Sequence, residues 1–112
     1  MVKVTFEDEK KKLTFTIKGH AGQAEAGKDI VCSSCSILAY TIAQVVNNYA
    51  SVGKLKEEPV VKLKSGEGIV SCKPKRKVYA QLRYAYEVAM VGYILLAHNY
   101  PQYVGLKMFG TE

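Results

Sequence analysis

The chain has 112 residues, a length typical of one domain and too short for an enzyme with separate cofactor and substrate domains. Apolar residues make up 48% and charged residues 23%, which disfavours disordered, collagen-like and low-complexity proteins. The net charge of +6 is compatible with an anionic partner such as RNA, and equally with a charge surplus that only keeps the protein soluble. We therefore predict a single domain over residues 1–112.

The cysteines and the N-terminus indicate a compartment. Cys32, Cys35 and Cys72 form an odd and sparse set, which does not fit a secreted disulfide scaffold. The first ten residues contain no apolar signal core, and no run reaches the roughly 18 apolar residues of a membrane span. We predict a cytoplasmic protein with reduced thiols and no membrane contact.

The N-terminal quarter shows strand periodicity. Apolar residues alternate with polar ones over residues 2–6 and 13–18, which predicts two strands. The charged segment 7–12 between them predicts the connection of a β-hairpin. Residues 19–28 are mostly Gly, Ala and polar residues that cannot pack deeply, so we predict a mobile loop there.

A helical pattern follows Asp29. Apolar residues recur at steps of three and four, and the Asp29 carboxylate suits the N-cap position. The helix is predicted to end near residues 51–53, with Gly53 as the stop. With this start, Cys32 falls in the first turn. The predicted apolar stripe consists of Val31, Cys35, Leu38, Ile42, Val45 and Tyr49.

The second half repeats the order of elements. Strands are predicted at 60–64 and 69–73, around a turn signal at 65–68. A second helix is predicted from residue 75 to about residue 98, before Pro101, and a last strand at 103–109. The order ββ-α-ββ-α-β predicts an α+β fold with a mainly antiparallel sheet packed against two helices.

Cys32 and His20 are the main candidates for chemistry. Unpaired N–H groups and the helix dipole lower the pKa of thiols held in the first turn of a helix. The loop that starts at His20 is short enough to fold back and bring the imidazole beside that turn. A cysteine and a histidine within hydrogen-bond reach are the minimum unit of thiolate catalysis. Ser36 lies one turn after Cys32 on the same face, where its hydroxyl is placed to assist.

Other interpretations stay open. Cys32-Ser-Ser-Cys35 at a helix start is also a thioredoxin-like redox pattern, although Cys35 fits the apolar stripe as a small buried residue. A zinc site lacks a second pair of ligands, and no phosphate-binding loop is present, so we predict no metal and no cofactor. Residues 62–77 carry a local charge of +5, which fits a solvated hairpin or an RNA- or ribosome-binding arm.

One segment resembles a known family. Gly19-His20-Ala21-Gly22, followed by Gly27-Lys28-Asp29-Ile30-Val31-Cys32 and Ser36, is similar to the ribosomal-processing cysteine protease family, Prp. The resemblance implies a Cys–His protease on a small α+β fold, usually a homodimer. It implies Cys32 as the nucleophile and His20 as the base, with Asp29 and Ser36 in support. Gly19, Gly22 and Gly27 match positions that let a substrate-covering loop move.

The resemblance also implies a substrate. Family members trim a short N-terminal extension from the twenty-seventh protein of the large ribosomal subunit, and prophage-linked relatives are associated with processing capsid or scaffold proteins. In the mechanism we expect, backbone N–H groups at the helix start hold the oxyanion, and Asp29 caps the helix and orients His20. Ser33-Ser34-Cys35 departs from the small or aliphatic residues of relatives, and a Cys32–Cys35 disulfide that inactivates the nucleophile is a further hypothesis.

Overall fold

The computed structural model describes residues 1–20 and 26–109. Its elements confirm the predicted order. They are β1 (Val2–Glu9), β2 (Lys12–Lys18), α1 (Ala26–Ser51), β3 (Val60–Lys64), β4 (Glu67–Cys72), α2 (Tyr79–Asn99) and β5 (Val104–Phe109), with one 3₁₀ turn (Arg76–Val78) leading into α2.

The five strands form one sheet in the order β3-β4-β2-β1-β5. Neighbouring strands are antiparallel except β1 and β5, which are parallel, so the predicted mainly antiparallel sheet is confirmed. The register places Phe6 opposite Phe15 and Phe15 opposite Val70, which lines up the apolar residues on one face. Both helices pack against the sheet and against each other. The result is a two-layer α+β fold whose core lies between helices and sheet.

Two buried tyrosines connect α2 to the rest of the core. The ring of Tyr86 stacks on Phe6 with centroids 5.4 Å apart, and the ring of Tyr93 stacks on Phe15 at 5.5 Å. A buried hydroxyl needs a hydrogen-bond partner. Tyr86 donates to the backbone carbonyl of Val70 at 3.1 Å, and Tyr93 donates to that of Cys35 at 2.7 Å. The second bond fixes α2 to α1 within one turn of Cys32.

The connection between β1 and β2 is much shorter than predicted. The strands continue through the charged segment and leave a two-residue turn, Lys10 and Lys11, with φ of 52° and 67°. Two central residues with positive φ make a turn of type I′, whose twist matches a hairpin. Asp8 compensates for the absent Asn or Gly, because its carboxylate accepts from the Lys11 N–H at 3.1 Å and binds Tyr79 and Arg83.

The start of α1 is also different from the prediction. The helix begins at Ala26, so Asp29 lies inside its first turn and is not the N-cap, and Cys32 is the seventh helical residue. The segment before Asp29 contains Ala and Lys, which are good helix formers, and no proline to stop the helix. The predicted loop 19–28 is therefore helical from residue 26. Residues 21–25, with Gly22, lie outside the described residues.

The end of α1 agrees with the prediction. Gly53 has φ of +72°, its N–H donates to the Ala50 carbonyl at 3.1 Å, and the next N–H, of Lys54, donates to Tyr49 at 3.0 Å. This pair of bonds is a Schellman motif, which requires the left-handed conformation at Gly53.

Residues Ile30–Ser51 of α1 are long and apolar enough to cross a membrane by length and composition alone. The core helix of a soluble protein meets the same criterion. Here Val31, Ile42 and Val46 are buried against the rest of the molecule.

Candidate active site

A cavity of about 370 Å³ opens at one end of the sheet, beside the N-terminal half of α1. Gly19 and His20, which follow β2, and Cys32 and Ser36 of α1 line this cavity. Four of the residues singled out from the sequence therefore line one cavity. The remaining lining residues are Val2, Ile17, Cys35, Ala39, Tyr40, Leu63, Lys64, Ser65, Gly66 and Glu67.

His20 is placed by the strand that precedes it. The N–H of Gly19 donates to the carbonyl of Gly66 in the β3–β4 turn at 2.9 Å, which extends the pairing of β2 with β4 to the cavity edge. Gly19 has φ of +98°, and a methyl group there would overlap the Met1 carbonyl oxygen. Gly19 is thus required for a close backbone approach; a role in loop motion stays a prediction.

Cys32 is exposed in the cavity because its helical neighbours are buried. Val31 and Cys35 face the core, which turns the side chains of Cys32 and Ser36 to solvent. The second-turn position has a chemical consequence. In an α-helix the N–H of Cys32 bonds to the carbonyl four residues earlier, so the unpaired N–H groups lie a full turn before it. The predicted placement of Cys32 in the first turn is therefore wrong, and an oxyanion site formed by N–H groups at the helix start stays a prediction.

Cys35 is a buried residue, as the apolar stripe predicted. Its side chain is 3% exposed, and burial, together with the charge of nearby Cys32, raises the pKa of the Cys35 thiol to about 11. Because the thiolate is the reactive form, Cys35 is unreactive at neutral pH. Both cysteines are free thiols, as is Cys72. Burial also raises the pKa of Cys72, which leaves Cys32 as the exposed thiol of the three.

An apolar surface adjoins Cys32 on the outer side of α1. Cys32, Ser33, Ser36, Ile37 and Tyr40 line this second, more open depression, and Tyr40 lines the cavity as well. Ile37 is 63% exposed and Tyr40 57%. The sequence analysis did not single them out. The signal was present, because both are large apolar residues on the face of the helix that the apolar stripe leaves to solvent.

The other predicted supporting residues are described only in part. For Gly27 and Asp29 the structure gives the helical backbone, and Gly22 lies outside the described ranges. Within residues 1–20 and 26–109, no three His, Cys, Asp or Glu side chains are grouped so that they could hold a metal ion.

Comparison with known proteins identifies the family. The family model described as cysteine protease Prp matches residues 1–105. The chain belongs to the cysteine protease Prp family. It is a cysteine protease, which confirms the family and the enzyme class that the resemblance implied. A search of curated protein sequences gave no match.

Solved structures share the fold of this Prp family member. SMU.848 from Streptococcus mutans is 25% identical with a TM-score of 0.69, over 97% of this chain and 94% of that chain. The essential ribosomal processing protease Prp from S. aureus with a covalently linked product peptide is 20% identical with a TM-score of 0.69, over 96% and 99% of the two chains. The same S. aureus protease with a substrate peptide is 18% identical with a TM-score of 0.67, again over 96% of this chain and 99% of that chain.

Proposed function

We propose that this protein is an endopeptidase that removes a short N-terminal extension from a large-subunit ribosomal protein, the twenty-seventh, with Cys32 as the nucleophile and His20 as the acid–base group. One observation carries the assignment of residues: an exposed thiol on α1 and an imidazole from the segment after β2 line the same cavity. Family membership supports the proteolysis. The resemblance around His20 and Cys32, and the names of the S. aureus relatives, support the ribosomal substrate.

The reaction needs only these two groups and water. The Cys32 thiolate attacks the scissile carbonyl carbon, and the protonated imidazole of His20 gives its proton to the leaving amine, so a thioester forms. His20 then takes a proton from water, whose oxygen attacks the thioester. The thiolate leaves, the carboxylic acid product forms, and the imidazolium is restored. Ser36 lines the cavity one helical turn from Cys32, which supports a role for its hydroxyl as a donor to the oxyanion.

The lining of the site supports an apolar peptide. Val2, Ile17 and Leu63 contribute apolar side chains to the cavity. Exposed Ile37 and Tyr40 line the adjoining depression, and Tyr40 lines the cavity as well. A peptide that crosses Cys32 with an apolar side chain on each side of the scissile bond would cover both surfaces, and covering apolar surface is the main favourable contribution to binding.

We further propose a homodimer that forms through α2. Four large side chains, Tyr84, Val88, Val91 and Leu95, are each more than half exposed on this helix. They are spaced four, three and four residues apart, which forms one seam along the helix. A seam of this kind on two copies is self-complementary about a two-fold axis. In sedimentation analysis, Val91→Glu should be a monomer, whereas Asn47→Glu, on the exposed surface of α1, should stay a dimer. If Val91→Glu is a dimer as well, the proposed interface is wrong.

A ribosomal substrate implies a cytoplasmic enzyme that meets its substrate free or on the ribosome. Reduced thiols in that compartment keep Cys32 available. Ribosome association and the cytoplasmic location follow from the proposed substrate and fail with it, whereas the homodimer rests on the α2 seam.

A cleavage assay tests the proposed function. The purified protein, kept reduced, is mixed with the ribosomal protein that carries its extension, and mass spectrometry locates any cut. We expect one cut near the end of the extension, lost in Cys32→Ala and kept in Cys35→Ala. Cleavage that persists in Cys32→Ala would contradict the nucleophile. An intact ribosomal protein beside a cleaved capsid or scaffold protein would replace the ribosomal substrate by a viral one.

A further inference from the structure

We propose that Gly66, in the turn between β3 and β4, is a positioning residue that sets the place of the His20 imidazole. The inference rests on the proposed function, in which His20 is the acid–base group. Gly66 performs this role through its lack of a side chain, because the imidazole occupies the space that any β-carbon would need.

The imidazole of His20 lies directly over the α-carbon of Gly66. A methyl group at Gly66 would lie 2.6 Å from Nε2 of His20, 3.0 Å from Cε1 and 3.5 Å from Cδ2. Three ring atoms on one side of a glycine define a contact surface for the ring. The backbone on both sides of this contact is fixed, because Gly19 N–H donates to the Gly66 carbonyl at 2.9 Å and Lys18 pairs with Glu67.

A side chain at Gly66 would move the ring and leave the fold in place. The turn is held by the pairing of β3 with β4, whereas His20 is exposed at the cavity rim and its side chain can rotate. To reach an ordinary separation of about 3.5 Å, Nε2 would have to retreat by about 1 Å. A displacement of about 1 Å at a reacting group is enough to lower a rate by about 10²-fold.

Comparison with Gly53 distinguishes the effect of the contact with His20 from the ordinary requirement for glycine at a positive φ. Gly66 has φ of +81°, so any L-residue there is strained whatever its surroundings. Gly53 has nearly the same φ, +72°, but a methyl group there would have no neighbour within 4 Å. Gly53→Ala therefore carries the same backbone strain as Gly66→Ala without a clash with a ring, and Gly53 lies at the C-terminus of α1, outside the cavity.

The test compares Gly66→Ala, Gly53→Ala and the wild type. We expect similar losses of stability to urea in the two variants, because the strain is similar. For cleavage of the extension we expect kcat to fall about 10²-fold in Gly66→Ala with KM little changed, and to stay within about twofold in Gly53→Ala. If Gly66→Ala does not fold, Gly66→Asn replaces it, because Asn tolerates positive φ and still brings a β-carbon against the ring.

A second measurement is the rate at which iodoacetamide alkylates Cys32, followed by mass spectrometry at several pH values. Backbone strain at Gly66 alone would not change this rate. An imidazolium beside a cysteine favours the thiolate, which is the form that iodoacetamide alkylates. We expect Cys32 to be alkylated more slowly in Gly66→Ala than in the wild type and in Gly53→Ala at neutral pH, and the difference to shrink as the pH rises.

Two results would overturn the inference: a folded Gly66→Ala with the kcat and alkylation profile of the wild type, or equal losses in both glycine variants. Failure of the proposed function looks different. If the chosen ribosomal protein is not a substrate, the alkylation profiles still decide the role of Gly66. If cleavage survives Cys32→Ala, the proposed nucleophile is wrong.

Discussion

Replacing Cys35 by alanine separates the roles of the two thiols in α1. The Cys35 side chain is 3% exposed, so Cys35→Ala removes one buried heavy atom and leaves a small cavity, at a cost of about 1–2 kcal/mol in the free energy of unfolding. Cys32 is exposed, so Cys32→Ala should change that free energy by no more than about 0.5 kcal/mol. Catalysis should respond in the opposite order, with cleavage kept in Cys35→Ala and lost in Cys32→Ala.

The difference in the free energy of unfolding between Cys35→Ala and the wild type depends on pH, and the burial of Cys35 determines the direction of the change. Burial and the charge of Cys32 raise the pKa of Cys35 from 9.0 to about 11. The unfolded chain therefore releases this proton near pH 9, while the folded chain keeps it until about pH 11. The stabilising contribution is complete below pH 9 and is lost as the pH rises to about 11, at a rate of at most about 1.4 kcal/mol per pH unit. Cys35→Ala lacks this contribution, so its deficit relative to the wild type should narrow over that window.

Urea unfolding of both proteins at several pH values from 7 to about 10.5, with a phosphine reductant present, measures the deficit. Comparing the two proteins cancels the other groups that titrate in this range. A deficit that stays constant over the whole range would refute the buried neutral thiol. A folded Cys35→Ala that has lost cleavage would refute the single-thiol mechanism and favour the two-thiol redox interpretation.

Three further variants test individual contacts and backbone conformations of the fold. Gly19→Ala should cost more than about 2 kcal/mol, because its methyl group would overlap the Met1 carbonyl oxygen; a cost no larger than that of Gly53→Ala in thermal unfolding would contradict this. Tyr93→Phe should cost about 1 kcal/mol in urea unfolding through loss of the bond to the Cys35 carbonyl, and an unchanged midpoint would argue against that bond. Lys10→Gly should raise the thermal midpoint by relieving a φ of 52°, with a gain of about 0.5 kcal/mol; a lower midpoint would count against strain in this turn.

Periodicity predicted most of the fold because it reports burial directly. The alternation over residues 13–18 corresponds to strand β2, and β3 covers the predicted residues 60–64. The apolar stripe of α1 correctly placed Val31, Cys35 and Ile42 in the core. Gly53 correctly marked the end of that helix, because the Schellman motif requires a left-handed residue.

Two local predictions failed for different reasons. The Lys10-Lys11 turn carries no Asn or Gly, and it is supported by Asp8, which Tyr79 and Arg83 bind from α2. Tyr79 and Arg83 lie far from the turn in the sequence, so the residues next to the turn do not predict these contacts. The start of α1 was misplaced because Asp29 matches an N-cap by residue type, although the helix continues through it to Ala26.

The candidate site was predictable in its chemistry and not in its geometry. His20 and Cys32 could be chosen from residue type and short spacing alone. Gly66 could not, since it meets His20 only through the pairing of β2 with β4. Ile37 and Tyr40 are part of the site because they are exposed and line the depression beside Cys32.

The central claim is that Cys32 is the nucleophile in a site that His20 completes. The most direct measurement uses a peptide chloromethyl ketone with the sequence of the extension, followed by intact mass and tryptic mapping of the modified protein. The account predicts one adduct per chain, on Cys32, formed at least about 10²-fold more slowly in His20→Ala and absent from Cys32→Ala. An adduct on Cys35 or Cys72, or a rate unchanged in a folded His20→Ala, would contradict it.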